Sequence, residues 1–239
     1  MKNSLLAGLL VLTLGACRKD DEALAQPEYA DWYALRAPDA RPIEAVYGNI
    51  DSTLVITTRY QIYQTTDRGK TWQVGDYKAM YGLTGFAARA DTLLAFTAST
   101  NTSFDTTTYV SYAVNPSYAS LDKGLTWQGY RSLSRRPDLE PRVALNRLTA
   151  PSGTEYSIAY RLKPTAPNSG SNYIETVGIK TSTGRRLALP NSHQIQSLYF
   201  DSQSRLYVAA SAKLCGQGQD FAFCGEQNGV LYVSKRPQL

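Results

Sequence analysis

The sequence predicts an all-β chain built from four repeats of four short antiparallel strands. Three observations predict it. "TTDRGKTW" (65–72) and "SLDKGLTW" (120–127) are one phrase, Ser/Thr-x-Asp-x-Gly-x-Thr-Trp, written twice. Short β-branched and aromatic runs, separated by turns, recur in one order around each phrase. After residue 17 no amphipathic helical pattern of useful length appears.

The first repeat reads "IEAVYGNI", "TLVITT", "QIYQT" and "TWQVGD" as strands a, b, c and d. The second reads "LTGFAARA", "TLLAFTA", the "YVSYAVNPSYA" region and "TWQGY". The third reads "RVALNRLTA", "YSIAYRL", "YIETVGIK" and "RRLALP", with the phrase decayed to "KTSTGRRL", where Ser182 stands for Asp and Leu187 for Trp. The fourth has only "IQSLYFD", "RLYVAAS" and "GVLYVSK"; Arg236 stands where the Asp should be, and no strand d follows. "DWYALRA" (31–37) supplies it from the other end of the chain. Trp32 lies 22 residues before Leu54, and Trp72 lies 21 before Leu93. All three tryptophans fall on this one position.

The phrase resembles the Asp-box, or bacterial neuraminidase repeat, at every defined position of both copies. The resemblance implies a β-propeller in which the box turns strand c into strand d. The residues explain why. Asp67 and Asp122 accept hydrogen bonds from turn amides. Gly69 and Gly124 permit positive φ. Thr71 and Thr126 open strand d, and Trp72 and Trp127 pack beneath the hairpin. The expected fold is a small β-propeller of four blades, each of four antiparallel strands, with the N-terminal strand closing the last blade and so hiding the sheet edges. An open, partial propeller is the alternative.

The N-terminus carries an address. Lys2 precedes the apolar run 5–16, which is too short to span a bilayer. It ends in "LGAC", which resembles the bacterial lipobox and implies diacylation of Cys17. "RKDDE" (18–22) places Lys19, Asp20 and Asp21 where lipoproteins of the Bacteroidota carry a surface-export signal. The organisation is then a signal peptide at 1–16, an acylated cysteine and charged tether at 17–28, and one propeller domain at 29–239. The resemblance implies an outer-membrane, cell-surface protein held by a lipid anchor. Export places Cys215 and Cys224 in an oxidising setting, where a small disulfide loop is expected and two free thiols are the alternative.

Composition narrows the chemistry. Removing 1–16 takes Lys2 and no acid from the chain's 25 basic and 20 acidic side chains, leaving 24 against 20, net +4. No Lys/Arg run has the footprint of a nucleic-acid binder. The single His193 and three scattered cysteines have no metal-ligand spacing, so no metal and no cofactor are expected.

In a propeller the a–b and c–d turns share one face. The b–c and d–a loops share the other, and here the length and variety lie in the latter. Long loops on a rigid scaffold carry binding. Arg59, Tyr60, Arg135, Arg136 and Arg161 are the ligand-binding candidates, since guanidinium forks and aromatic faces suit acidic groups and sugars. Arg36, Arg41, Arg131 and Arg142 belong to the same face, with Tyr77, Tyr81, Tyr160 and Tyr173. The reading is a binding module for a glycan or a partner protein, without catalytic residues. Two alternatives come with the resemblance: a sialidase-like glycoside hydrolase, and a protein-binding propeller like photosystem-assembly factors. For the hydrolase, Asp76, Asp105, Asp138, Glu140 and Asp220 are loop-face acids that nothing in the sequence pairs. Asp-Ser/Thr at Asp51, Asp91 and Asp105 matches a short O-glycosylation signal, but the first two sit at equivalent a–b turns, where the pair is simply good turn chemistry, and the turn is the favoured reading.

Overall fold

A computed structural model describes residues 29–103, 105, 108–131, 141–215 and 223–238. The signal peptide, Cys17 and the tether lie outside the described residues, as do Arg135 and Arg136. Seventeen strands and no helix occur among the described residues, and the strands form four antiparallel sheets.

Blade 1 is β2 (Ala45–Gly48), β3 (Leu54–Thr57), β4 (Ile62–Thr65) and β5 (Gln73–Val74). Blade 2 is β6 (Gly85–Arg89), β7 (Thr92–Asn101), β8 (Ser111–Ser120) and β9 (Gln128–Gly129). Blade 3 is β11 (Arg147–Thr149), β12 (Glu155–Pro164), β13 (Asn172–Thr181) and β14 (Arg186–Leu187). Blade 4 is β15 (Ile195–Phe200), β16 (Leu206–Ala210), β17 (Val230–Ser234) and, on its outer edge, β1 (Trp32–Arg36). The inner strands face one another around the axis, β2 beside β6 and β15, and β11 beside β15. This is a four-bladed propeller.

The ring closes as the spacing of the tryptophans predicts. β1 runs antiparallel to β17, with Tyr33 opposite Val233 and Trp32 opposite Ser234. Alternation along β1 sends Trp32 and Ala34 into the apolar layer between blades 3 and 4, and Leu35 into the layer between blades 4 and 1. Two further layers fill the seams between blades 1 and 2 and between blades 2 and 3. Each layer is removed from water by two blades at once, so no blade is an independent folding unit.

The predicted third inner strand, "RVALNRLTA", divides between two blades. β10 (Val143–Ala144) pairs back onto β8 of blade 2, and only Arg147–Thr149 joins blade 3. The cause is the length of β8. Its lower end is covered by β9, but its upper end would present a bare edge. β10 covers it. Leu145 N–H continues the ladder to the Ser111 carbonyl (2.8 Å), and the Asn146 amide finishes it, accepting from Ser111 N–H (2.8 Å) and donating to the Tyr109 carbonyl (3.3 Å).

The box geometry follows from its residues. Asp67 accepts from the Thr71 amide (2.9 Å) and hydroxyl (2.6 Å); Asp122 accepts from the same groups of Thr126 (2.9 and 2.7 Å). Those bonds from Thr71 hold Asp67 down to about 2. Burial alone would raise Asp122, but the bonds from Thr126 keep it below the usual range. Gly69 and Gly124 have φ of 77° and 97°. Each box also wedges against the preceding blade. A Cβ on Gly69 would lie 2.8 Å from Leu35 of blade 4, and one on Gly124 would lie 3.0 Å from Val55 of blade 1. The repeated phrase is therefore both a turn and an inter-blade staple.

One repeated feature is not evident from the box alone. All four c strands end in a buried hydroxyl: Thr65, Ser120, Thr181 and Ser234. Thr65 and Ser120 accept from the box glycine amides at 3.0 and 2.8 Å. Thr181 accepts from Arg185 N–H (3.0 Å), and Ser234 from Leu206 N–H (2.9 Å). In blade 3 this hydroxyl, and not Ser182, organises a shorter turn. Ser182 instead accepts from Glu155 N–H at 3.1 Å.

Candidate functional site

The two faces of the ring differ in height. On the loop face, blade 1 turns from b to c through the tight Thr58–Gln61 connection, closed by a Thr58 N–H bond to the Gln61 carbonyl (3.1 Å). Blades 2 and 3 rise well above it as the long hairpins β7–β8 and β12–β13. Each hairpin shifts register midway, between Ala95 and Phe96 and between Ile158 and Tyr160. Such bulges bend a strand and redirect its side chains. Blade 4 contributes the cysteine loop. Cys215 and Cys224 are disulfide-bonded, Cα atoms 5.1 Å apart, beside an isolated bridge between Leu214 and Phe223.

Between the blade 3 hairpin and the cysteine loop lies an apolar pocket of about 330 Å³. Ile174 and Tyr173 form one wall, Leu214 and Phe223 the other, and Pro42 closes an end. Ile174, Tyr173 and Phe223 are each at least two-fifths exposed, as is Leu162, which pairs with Ile174 across the hairpin. The floor is polar and fixed. The Gln194 amide donates to the Ile174 carbonyl (3.0 Å) and accepts from Thr176 N–H (3.3 Å). This repeats the Asn146 clamp one blade further on: in each case an amide just before an inner strand holds alternate backbone groups of the preceding c strand.

Pro42 is preceded by Arg41, whose guanidinium lies 5.5 Å from the centre of the Tyr60 ring; that of Arg59 lies 6.0 Å from the same ring. Arg59 and Tyr60 are thus brought together, on a low shelf that adjoins the apolar pocket through Arg41–Pro42. The backbone holds the shelf, since Arg59 has φ of 79° and its carbonyl accepts from Leu83 N–H at 2.6 Å. Beneath it, burial raises the Glu44 carboxyl above its ordinary range, with Arg59 pulling the other way.

The other candidates lie apart. Arg161 is ion-paired with Glu175 (2.7 Å) on the hairpin, and Arg36 with Glu226 (3.2 Å). Arg142 stacks over Tyr112 at 4.6 Å. Tyr77 is buried and donates to the Tyr81 carbonyl (2.9 Å), so it offers no surface. Tyr160 packs on Tyr109, and burial, then Tyr109 itself, raises its hydroxyl. Of the acids, Asp76 pairs with Lys78 (3.3 Å) and Asp105 accepts from the Thr108 hydroxyl (3.2 Å). Asp138, Glu140 and Asp220 lie outside the described residues.

His193 is structural in its contacts. A carbonyl can only accept, so Nδ1–H donates to the Ser211 carbonyl (2.8 Å), leaving Nε2 to accept from the Tyr232 hydroxyl (2.9 Å). Burial is the main reason its pKa is lowered. Among the described residues no three His, Cys, Asp or Glu side chains gather in a way that could hold a metal ion.

The apolar pocket was not legible as a pocket. Its walls come from "NYIET" and from the two ends of the cysteine loop, which only the fold brings together. The signal that could have found it is an exposed alternation, Leu162 and Ile174, on strands otherwise polar at that height.

No protein-family model and no curated protein matches the chain. Among solved structures it is similar to "YCF48 bound to D1 peptide", at 13% identity and TM-score 0.36, over 87% of this chain and 98% of that one. It is similar to YCF48 from Cyanidioschyzon merolae at 12% identity and TM-score 0.26, over 87% and 86%. It is similar to a streptogramin B lyase at 12% identity and TM-score 0.27, over 84% and 72%.

Proposed function

We propose that this chain is a lipid-anchored protein of the outer cell surface whose loop face binds a partner protein and carries out no reaction. The lipobox "LGAC" and the Lys19-Asp20-Asp21 segment support the anchor and its outward display. The observation that carries the binding reading is the apolar pocket. Tyr173, Ile174 and Phe223 stand in water at the rim of a hollow on the face richest in long loops. Exposed apolar side chains grouped around a rigid hollow mark interaction surfaces. The adjoining Arg41–Tyr60–Arg59 shelf adds donors for an acidic group beside an apolar anchor. A protein segment offers both kinds of group together, which favours it over a glycan here.

The test is photo-crosslinking in intact cells from a benzophenone residue placed at Tyr173. A discrete adduct is expected there, none from the same group at Ser152 on the opposite face, and loss of the adduct when Ile174→Asp is added. No adduct at Tyr173, or one indifferent to Ile174→Asp, overturns the reading. Cys17→Ser is expected to release the protein from membranes with its fold intact.

A further inference from the structure

The opposite face of the ring holds a cavity of about 570 Å³ lined by residues of blades 1, 2 and 4. Its origin is a departure from the repeat. In each blade the strand-a residue opposite the first b-strand core position can be read from the register. It is Gly48 in blade 1, Ala88 in blade 2 and Phe200 in blade 4, while blade 3 turns the opposite side to its preceding seam. In blade 4 a large side chain fills this level, Phe200 packing edge-on against Tyr156. In blades 1 and 2 a glycine and an alanine leave it hollow. Gly48 cannot be enlarged at all, because its φ is 103° and a Cβ would collide with the Thr53 carbonyl. Ala88 has no such constraint, being exposed.

The walls are rigid and chemically mixed. Tyr47 and Tyr199 line one side, their rings 5.7 Å apart. The Tyr199 hydroxyl is fixed by Gly48 N–H (3.3 Å). Across from them stand Asp91 and Lys123, neither in an ion pair among the described residues. The Lys123 backbone is held by the box, its carbonyl accepting from the Gln64 amide of blade 1 at 2.8 Å. Ser52 and Thr92 add hydroxyls.

We propose that this cavity is a binding site for a neutral mono- or disaccharide, separate from the loop-face site. The size falls within the range of about 300–1,000 Å³ found for small-ligand pockets. Aromatic faces take the C–H side of a sugar ring, while a carboxylate, an ammonium and hydroxyls match its vicinal diols. One acid and one base leave no net charge to select an anion, and a carboxylate, an ammonium and two hydroxyls among the apolar walls suit an amphiphilic ring better than a lipid tail.

The test uses the full chain with glucose, galactose, mannose, N-acetylglucosamine, cellobiose and lactose as probes, read by saturation-transfer NMR and calorimetry. At least one is expected to bind. Ala88→Phe, which gives blade 2 the side chain blade 4 already has, is expected to weaken it by about tenfold or more while leaving the melting temperature in place. Asp91→Asn is the second variant, expected to weaken binding without filling space, and it decides the matter if Ala88→Phe misfolds. Ile174→Asp is expected to leave sugar binding untouched, so this site and the loop-face reading fail separately. No binding by any probe overturns the proposal, as does binding that survives these cavity variants or is confined to a sialylated or sulfated sugar added for comparison.

Discussion

The seam between blades 4 and 1 and the seam between blades 2 and 3 lie on opposite sides of the ring and are built in opposite ways. The first buries twelve apolar residues in one layer, among them Leu35, Ile43, Leu54, Tyr207 and Leu231. Arg205 reinforces it, pairing with Asp201 of its own blade (2.9 Å) and with Asp51 of blade 1 (2.6 Å) and donating to the Asn49 side chain (2.7 Å). Tyr207 links the same elements, donating to Asp201 and accepting from Ile50 N–H, both at 2.9 Å. The second seam, among the described residues, has a buried cluster of only Leu94, Phe96, Ala113 and Ala119. It is held instead by the exchanged strand β10 and the Asn146 clamp. The difference teaches where a closed ring needs strength. The chain crosses the 4–1 seam between β1 and β2, but β1 joins blade 4 only through its pairing with β17, so non-covalent contacts must keep the ring shut there. The 2–3 seam is joined by the chain itself.

The largest expected effect comes from breaking the strong seam outright. Deleting residues 29–37 removes β1, exposes the edge of β17 and strips Trp32 and Leu35 from two apolar layers. Burial of such side chains contributes roughly 1.5–3 kcal/mol each, a large part of a typical stability of about 5–15 kcal/mol. The truncated chain is expected to aggregate or to show no cooperative melt by circular dichroism. A peptide carrying "DWYALRA" is expected to restore part of the transition by adding a strand. A melt like that of the intact chain would mean that the ring does not depend on β1.

A paired substitution sharpens the comparison. Arg205→Ala leaves Asp201 buried without its cation, and breaking a buried pair in this way costs about 3–5 kcal/mol. Asn146→Ala leaves Ser111 N–H and the Tyr109 carbonyl without their partner, at about 1–3 kcal/mol. The two also differ in reach. Amide exchange is expected to rise throughout the protein in Arg205→Ala, but mainly over residues 109–113 and β10 in Asn146→Ala. Equal, global effects would make the two seams alike and remove the distinction.

How much of this could be read in advance depends on the range of the interaction. The box turns were legible because Asp67, Gly69 and Thr71 act within a few residues of one another. Ring closure was legible because Trp32 repeats a spacing. The division of "RVALNRLTA" was not, because it depends on how far β8 outgrows β9. The Arg205 network was not, because Asn49, Asp51 and Asp201 meet only when two a–b turns from opposite ends of the chain adjoin. The site divided the same way. Arg59 and Tyr60 are neighbours in sequence and in space, whereas the apolar pocket and the cavity over Gly48 and Ala88 exist only between blades.

The smallest expected effect lies at the seam between blades 3 and 4, where β1 also packs, and it is a dependence on pH. His193 is held neutral there: burial lowers its pKa, Lys213 adds to the lowering, and the carbonyls of Ser211 and Ala212 only partly oppose it. The unfolded chain has an ordinary imidazole near about 6.5. Above that value both states are neutral and the stability is complete. As pH falls below it, the unfolded state takes up a proton that the folded state refuses, so stability declines until the lower folded pKa is reached. Protonation in place would put a donor on Nε2 against the Tyr232 hydroxyl, which now donates to it. Glu44 works in the other direction, because its pKa is raised: the folded carboxyl protonates first, and stability is gained as pH falls toward the ordinary glutamate range. Since His193 is the sole histidine, melting temperatures at pH 7.5, 6.5 and 5.5 isolate it when Glu44→Gln is used as the background. In that background a decline between pH 6.5 and 5.5 is expected, and His193→Asn is expected to flatten it while lowering the melt at pH 7.5. A decline of the same size in the His193→Asn variant would assign the pH dependence to another group and leave the imidazole a packing element only.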